Sequence, residues 1–108
     1  MSGTAELAPA VFAALADPTR WQVLHMLAQQ GDRTATALAA QMPVTRPAVI
    51  KHLTVLDRAG LVTRKRAGRE VLYRAEPAQL DATARLLAEL AVAWDRRLAA
   101  LKALAEGT

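Results

Sequence analysis

The chain has no cysteine, and histidine occurs at only two positions, His25 and His52. The missing cysteines exclude disulfide bonds, thiolate metal centres and a cysteine nucleophile. Two histidines on different predicted helices do not indicate a transition-metal site either, because such a site needs three or four converging ligands. There is also no glycine-rich phosphate loop. We therefore predict no catalytic residue, no metal ligand and no cofactor.

Long apolar runs are missing too. No stretch approaches the roughly 18 residues of a membrane-spanning helix, and no basic-then-apolar leader opens the chain. The composition is 53% hydrophobic and 22% charged, which is typical of a globular protein. A length of 108 residues suits one domain with a modest core. We expect a single domain over residues 1–108, soluble and cytoplasmic, with no membrane partner.

Positive charge is concentrated in one part of the chain. Residues 44–74 hold eight of the 14 basic residues and two of the 10 acidic ones, so this segment carries +6 and the remainder −2. A localised excess of this kind is the electrostatic footprint of a nucleic-acid-binding surface. A basic membrane-surface helix fits less well, because the segment mixes helix and strand signals and lacks exposed aromatic anchors.

Residues 34–60 have the pattern of a helix-turn-helix, whose second helix enters the major groove of DNA. Thr45 is placed to cap that second helix, and Pro47 falls in its first turn, where a missing N–H costs little. Gly60 follows the helix as a residue free to take a positive φ. Steps of roughly 100° per residue divide the helix into an apolar inner face and a polar, partly basic outer face.

The outer face of this helix holds the first candidate DNA contacts. A solvated face is the simpler interpretation of a lone amphipathic helix, but here cations lie near its start and again further along, and helix N-termini suit phosphate. Ile50 is unusual, because an apolar side chain facing water brings no structural gain, whereas it could contact a thymine methyl group. The candidates on this helix are Thr45, Arg46, Pro47, Ile50, Lys51 and Thr54.

A β-hairpin is predicted directly after the helix, over residues 61–75. Short runs of Val, Leu, Thr and Tyr indicate two strands, and Gly68 between them is expected to take a positive φ. A hairpin in this position is a wing, whose cations can reach a minor groove or phosphates. Edge strands also carry cations that prevent aggregation. For a single arginine this explanation is as good as a DNA contact, but it explains the whole cluster less well. The candidate contacts are Arg64, Arg66 and Arg69.

Two helices are predicted before the helix-turn-helix. The first covers residues 8–16, with 1–7 irregular, and the second runs from Pro18 to about Gln30. Asp17 and Pro18 are a clear helix start, with the aspartate as N-cap and the proline at the first helical position. The side chains of the second helix that we expect to be buried are Trp21, Leu24, Leu27 and Ala28.

The last predicted helix, over residues 78–105, is the longest and carries a heptad-like apolar stripe. Apolar residues recur at four- and three-residue spacings over about 26 residues, roughly 39 Å of helix. A second apolar row lies beside the stripe, and a domain this small can hardly cover both. We therefore expect a second copy of the chain there, rather than a helix wholly packed on its own domain. The predicted dimer interface comprises Phe12, Leu87, Ala91, Trp94, Leu98 and Leu101.

Several short motifs occur together in this order. They are Leu15–Arg20 before the second helix, Pro47–Val49 and His52–Leu56 in the recognition helix, Ala59–Val62 into the wing, and Gly68–Arg69 with Leu72–Arg74 in the hairpin. With them the chain resembles the ArsR/SmtB family of bacterial repressors. The resemblance implies a mainly α-helical winged helix-turn-helix with a small β-hairpin and a long C-terminal dimerisation helix. It also implies a homodimer that binds double-stranded DNA at an imperfect inverted repeat and represses transcription.

The chain departs from the family pattern in two ways. Many members have a polar residue at Ile50 and often a glutamine at Lys51, so the resemblance does not imply which DNA sequence is read. Metal-sensing members carry cysteine pairs on the third helix or Asp, His and Glu ligands on the last, and neither set is present here. The chain is more similar to a metal-free branch. An effector, if one exists, is expected to be a small molecule or a partner protein acting near Trp94.

Three functions stay open on the sequence. The favoured one is a homodimeric DNA-binding repressor. The alternatives are a metal- or small-molecule-responsive derepressor of the same family, and a winged-helix module that binds protein instead of DNA. An enzyme is the remotest class.

Overall fold

The computed structural model describes the backbone of residues 3–107 and the side chains of residues 9–107. Its elements, in chain order, are α1 (Gly3–Leu15), α2 (Pro18–Gln30), α3 (Ala35–Ala39), α4 (Arg46–Arg58), β1 (Val62–Ala67), β2 (Glu70–Ala75) and α5 (Pro77–Glu106). This order confirms the predicted winged helix-turn-helix. The prediction that residues 1–7 are irregular is wrong for 3–7, which belong to α1, while residues 1 and 2 lie outside the described part.

Short polar side chains determine where three of the helices begin. Asp17 caps α2 by accepting a hydrogen bond from the backbone N–H of Thr19 at 2.8 Å. Thr34 and Thr45 cap α3 and α4, and each accepts from the backbone N–H three residues later, at 3.1 and 3.3 Å. These bonds satisfy donors that the first turn of a helix leaves unpaired. The predicted caps at Asp17 and Thr45 are confirmed.

Gly60 turns the chain out of α4 and into the wing. Its φ is +76°, and its N–H donates to the Asp57 carbonyl at 2.9 Å. The next N–H, of Leu61, donates to the Leu56 carbonyl, also at 2.9 Å. This pair of bonds is the Schellman ending of a helix, which needs a residue that tolerates a left-handed backbone. The turn points Leu61 into the core, where it is fully buried.

The core lies between α1, α2, α3, α4 and the base of the wing. Its largest fully buried side chains are Val11, Val23, Leu27, Leu38, Val49, Leu53, Leu56, Leu61 and Val62. Burying a Val or Leu side chain contributes about 1.5–3 kcal/mol, so this cluster is the main source of stability for the DNA-binding part.

The predicted burial of α2 is wrong at two positions. Trp21 is 55% exposed and Ala28 is also exposed, whereas Val23 and Met26 are buried beside the correctly predicted leucines. The reason is that α2 is apolar on more than one side. The side with Val23 and Met26 packs in the core with α4 and β2, whereas Trp21 lines a shallow cleft together with Leu80 of α5.

The two strands form an antiparallel hairpin with a two-residue loop. Ala67 pairs with Glu70, so only Gly68 and Arg69 lie between the strands. Gly68 has φ +64°, and Arg69 does not have a positive φ. This combination is a type II′ turn, which matches the twist of the strands it joins. The predicted positive φ at Gly68 is confirmed.

A third short piece of chain extends the hairpin beyond β2. The N–H of Arg33 donates to the Tyr73 carbonyl at 3.1 Å, and the N–H of Tyr73 donates to the Arg33 carbonyl at 2.8 Å. The loop between α2 and α3 thus pairs with the wing through two backbone bonds. This bridge could not be predicted from the sequence, because one residue pair produces no strand pattern.

Helix α5 extends well beyond the rest of the fold. Thr83 is its one buried residue, and every residue from 87 to 107 is exposed. The radius of gyration is consequently 18.6 Å, against about 13 Å for a compact domain of this length. None of the helices in residues 3–107 combines the length and apolar character that crossing a lipid bilayer requires.

Candidate nucleic-acid interface

The two faces of α4 lie as predicted. Val49, Leu53 and Leu56 are fully buried, while Arg46 and Lys51 on the opposite side are exposed. Pro47 and Thr54 are exposed on the same outer side. The helix is therefore anchored by its apolar stripe and presents its polar face outward, which is the arrangement that a recognition helix requires.

Ile50 departs from the prediction. It is half-buried and packs against the core cluster, so the premise that its side chain gains nothing structurally is wrong. Its outer part lines the groove described below. A contact between Ile50 and a thymine methyl group stays a prediction.

Hydrogen bonds within the fold orient some of the candidate contacts. The Nε–H of Arg46 donates to Oγ1 of Thr36 at 3.1 Å, which ties the start of α4 to α3 and leaves the two terminal NH₂ groups of the arginine for other acceptors. The hydroxyl of Thr54 donates to the Ile50 carbonyl at 2.9 Å. The proton of Thr54 is therefore already donated, and its methyl group and the two lone pairs of its hydroxyl oxygen are what remain for other contacts.

A groove of about 390 Å³ separates α4 from the wing. Its lining residues are Thr34, Ala35, Thr36, Arg46, Ile50, Arg69, Glu70, Val71 and Tyr73. It brings together Arg46 and Ile50 of the recognition helix with Arg69 of the hairpin turn. The residues of α3 that complete this groove were missed as site residues, although Thr34 and Thr36 stand at the start of the predicted helix-turn-helix.

The wing cations are divided between the two faces of the hairpin. Side chains alternate along a strand, so Arg64 and Arg66 share the face of Val62, and Lys65 lies on the other. Nε of Arg64 is 3.8 Å from Oδ2 of Asp57, and this exposed pair is a weak restraint. Among the side chains of residues 9–107, no carboxylate pairs with Arg66 or Arg69. Both remain available for phosphate.

Arg74 differs from the other cations of residues 44–74. Its Nε and Nη2 atoms lie 2.9 and 3.0 Å from the two carboxylate oxygens of Asp32. These hydrogen bonds are the largest cause of the lowered pKa of Asp32 and of the raised pKa of Arg74. The opposite charge of each partner adds to the shift of the other. The local excess of positive charge is thus smaller than the sequence count suggests. The partner lies outside the counted segment, which is why the count missed it.

Comparison with known proteins places this geometry in a family. Residues 17–64 match the model of the bacterial regulatory proteins of the arsR family. The HTH-type transcriptional regulator Rv2034 of Mycobacterium tuberculosis is 41% identical over 85 residues, covering 79% of this chain and 76% of that protein. The chain belongs to the ArsR family.

Solved structures of this family share the whole fold. An ArsR-like transcriptional regulator from Rhodococcus sp. RHA1 superposes with a TM-score of 0.85 at 47% identity, over 95% of this chain and 96% of that one. The homodimeric winged helix-turn-helix DNA-binding domain of Mb0332 from Mycobacterium bovis, a possible ArsR-family regulator, gives a TM-score of 0.62 at 32% identity, over 86% and 82%. The recognition helix, wing and long helix of the present chain are thus those of an ArsR-family regulator.

The histidines of this ArsR-family chain lie apart. His25 is exposed on α2, and His52 is half-buried on α4. The pKa of Asp17 is lowered mainly by the backbone hydrogen bond from Arg20, and the neighbouring His52 is a smaller cause. Within the part of the chain that the structure describes, no three His, Cys, Asp or Glu side chains converge on a metal-sized space. Independence from metal ions stays a prediction.

The residues predicted for the dimer interface of this ArsR-family chain have little cover from its own fold. The exposed fractions are 46% for Phe12, 46% for Leu87, 53% for Trp94, 58% for Leu98 and 57% for Leu101. Ala91 is exposed as well. The guanidinium of Arg97 lies 5.8 Å from the Trp94 ring centroid and covers one side of it. The apolar surface is large enough to call for a partner, and these residues stay the predicted contacts.

Proposed function

We propose that this chain is a homodimeric repressor that binds an inverted-repeat DNA operator through α4 and the wing. The observation that carries the proposal is the exposed, partly basic face of α4 beside the hairpin that presents Arg66 and Arg69. One half of the repeat would meet each protomer, because a two-fold dimer places its two recognition helices one helical turn of DNA apart. A dimer seated on a promoter excludes polymerase from it, and the chain would act in the cytoplasm without catalysing a reaction.

Within this proposal the candidate contacts divide into two groups. Lys51 and Thr54, on the exposed centre of α4, would read base edges in the major groove. Thr45, Arg46 and Pro47, at the helix start, would lie beside backbone phosphates, which the helix dipole and the Arg46 side chain favour. The wing arginines at 64, 66 and 69 would hold phosphates or enter the adjacent minor groove. Phosphate contacts position the protein, and base contacts specify the sequence.

A salt titration tests the proposal. A duplex selected by the protein from a random pool and a shuffled duplex of equal composition are titrated with protein at several salt concentrations, by fluorescence anisotropy. We expect binding to both that weakens with salt, with a log–log slope of about −0.9 per phosphate contact, and tighter binding to the selected duplex. Failure to enrich any duplex, or an affinity that does not change with salt concentration, would instead favour a module that binds protein.

A further inference from the structure

We infer that Arg74 is a wing-positioning residue and not a DNA contact. Its ion pair with Asp32 fixes the hairpin to the loop between α2 and α3, so that the wing arginines meet the DNA at the same time as α4. This inference rests on the proposed DNA-binding function. By composition alone Arg74 counts with the other cations of residues 44–74, and the inference gives it a different role.

The geometry of the pair is that of a restraint on orientation. Two parallel bonds, of 2.9 Å from Nε and 3.0 Å from Nη2, join the planar guanidinium to both oxygens of the carboxylate. A bidentate arrangement defines direction as well as distance, unlike the single 3.8 Å approach of Arg64 to Asp57. The partners are 42 residues apart in sequence, so the pair joins two elements that no local turn connects.

The pair reinforces an adjacent backbone link. Arg33 and Tyr73 exchange two backbone hydrogen bonds, at 3.1 and 2.8 Å, and Tyr73 is 9% exposed. The strand β2 is therefore held by its backbone, by its buried tyrosine and by the Asp32–Arg74 pair. The strand β1, which carries Arg64 and Arg66, is paired with β2 along its whole length. Apart from contacts with α4, β1 is connected to the rest of the molecule mainly through β2. Whatever holds β2 determines where the cations of β1 lie.

The charges around Asp32 support this role. The Arg74 hydrogen bond is the largest cause of the lowered pKa of Asp32, and the charges of Lys65 and Arg33 add to it. Asp32 is thus held in its charged form by cations from three places in the fold. A carboxylate beside the wing repels phosphate, so its presence opposes DNA binding unless it has another use. Positioning Arg74 is that use.

The substitution Asp32→Asn separates positioning from charge. Removing an acidic group near the wing strengthens binding to a mixed-sequence duplex if only charge matters. If Asp32 positions the wing, the same substitution instead weakens binding and makes it less dependent on salt, because the wing loses phosphate contacts. Each lost phosphate contact lowers the slope by about 0.9, so the deficit grows about eightfold for every tenfold dilution of salt. Asp81→Asn removes an exposed acid from α5 without touching the pair or the groove, and it is the control variant, expected to bind at least as tightly as wild type.

A double-mutant cycle identifies the partner. If Arg74 acts through Asp32, then Arg74→Ala costs affinity in the wild-type background and nothing further once Asp32 is alanine. Tighter binding by Asp32→Asn, or an equal cost of Arg74→Ala in both backgrounds, would overturn the inference and make Arg74 a phosphate contact.

Amide hydrogen exchange measures the positioning without DNA. Asp32→Asn is expected to speed exchange of the Tyr73 N–H, which donates to Arg33, while the amides of α4 keep their protection. If Asp32→Asn speeds this exchange but the wild-type protein binds no duplex, the proposed function has failed and the inference about the wing has not. Unchanged exchange at Tyr73 would refute the inference, whatever the protein binds.

Discussion

Replacing Leu87 and Leu98 with glutamate should convert a dimer into monomers. These side chains are 46% and 58% exposed in the single chain, on one stripe of α5. Complete burial of a leucine contributes about 1.5–3 kcal/mol, so covering the exposed half of each contributes about 1 kcal/mol. The predicted interface of a dimer contains four such leucines. Losing them costs at least about 4 kcal/mol of association free energy, roughly a thousandfold in Kd, before the burial of new charge is counted.

Light scattering during gel filtration, at several loading concentrations, measures this effect. A matched control adds the same two glutamates at Ala99 and Ala103, which lie on the far side of α5 from the stripe and are also exposed. The control is expected to remain dimeric and to bind DNA as wild type does. The Leu87 and Leu98 variant should be monomeric and lose tight operator binding. A wild-type monomer at high micromolar concentration would refute the assignment of α5.

Four further predictions concern single sites. Lys51→Ala should reduce the preference for the selected duplex over the shuffled one, while Arg69→Ala should weaken both about equally, as anisotropy titrations will show; equal effects on preference would contradict the division between base and phosphate contacts. Operator binding should be the same in EDTA as in micromolar zinc, nickel or copper, and a metal-dependent loss would contradict this. Because Asp17 and Asp32 have lowered pKa values in the fold, their contribution to stability is present above the ordinary aspartate pKa and is lost as the pH falls below about 4. The free energy of unfolding, measured with urea at several pH values, should therefore decrease in acid, and the decrease should be shallower in Asp32→Asn. Gly60→Ala should lower the free energy of unfolding by about 1 kcal/mol or more, measured by urea unfolding, because its φ is +76° and an added Cβ would lie 3.0 Å from Cγ of Gln79.

Features encoded in short stretches were predictable from the sequence. Thr45 and Gly60 bound the recognition helix because capping and a left-handed turn depend on a few neighbouring residues, and the observed helix Arg46–Arg58 lies between them. The same holds for the turn at Gly68. Local chemistry determines these points, and tertiary packing does not alter them.

Features that depend on distant partners were not predictable. Trp21 lies on one of two apolar sides of α2, and only the assembled fold shows that the other side faces the core. The Asp32–Arg74 pair and the Arg33–Tyr73 bridge join residues some forty positions apart, with no pattern at either end. Ile50 shows the same limit, since a helical wheel does not show that its side chain packs against the core cluster.

The exposed length of α5 links the folding of this protein to how much of it a cell makes. An isolated helix of about twenty residues is marginal in water, and every residue from 87 to 107 is exposed in the single chain. Their helical structure and the association of two chains are therefore one equilibrium, and thermal stability rises with protein concentration. When few copies are present, the free chains are the less stable and more readily degraded form. Expression level then sets not only how often the operator is occupied but how long each molecule survives.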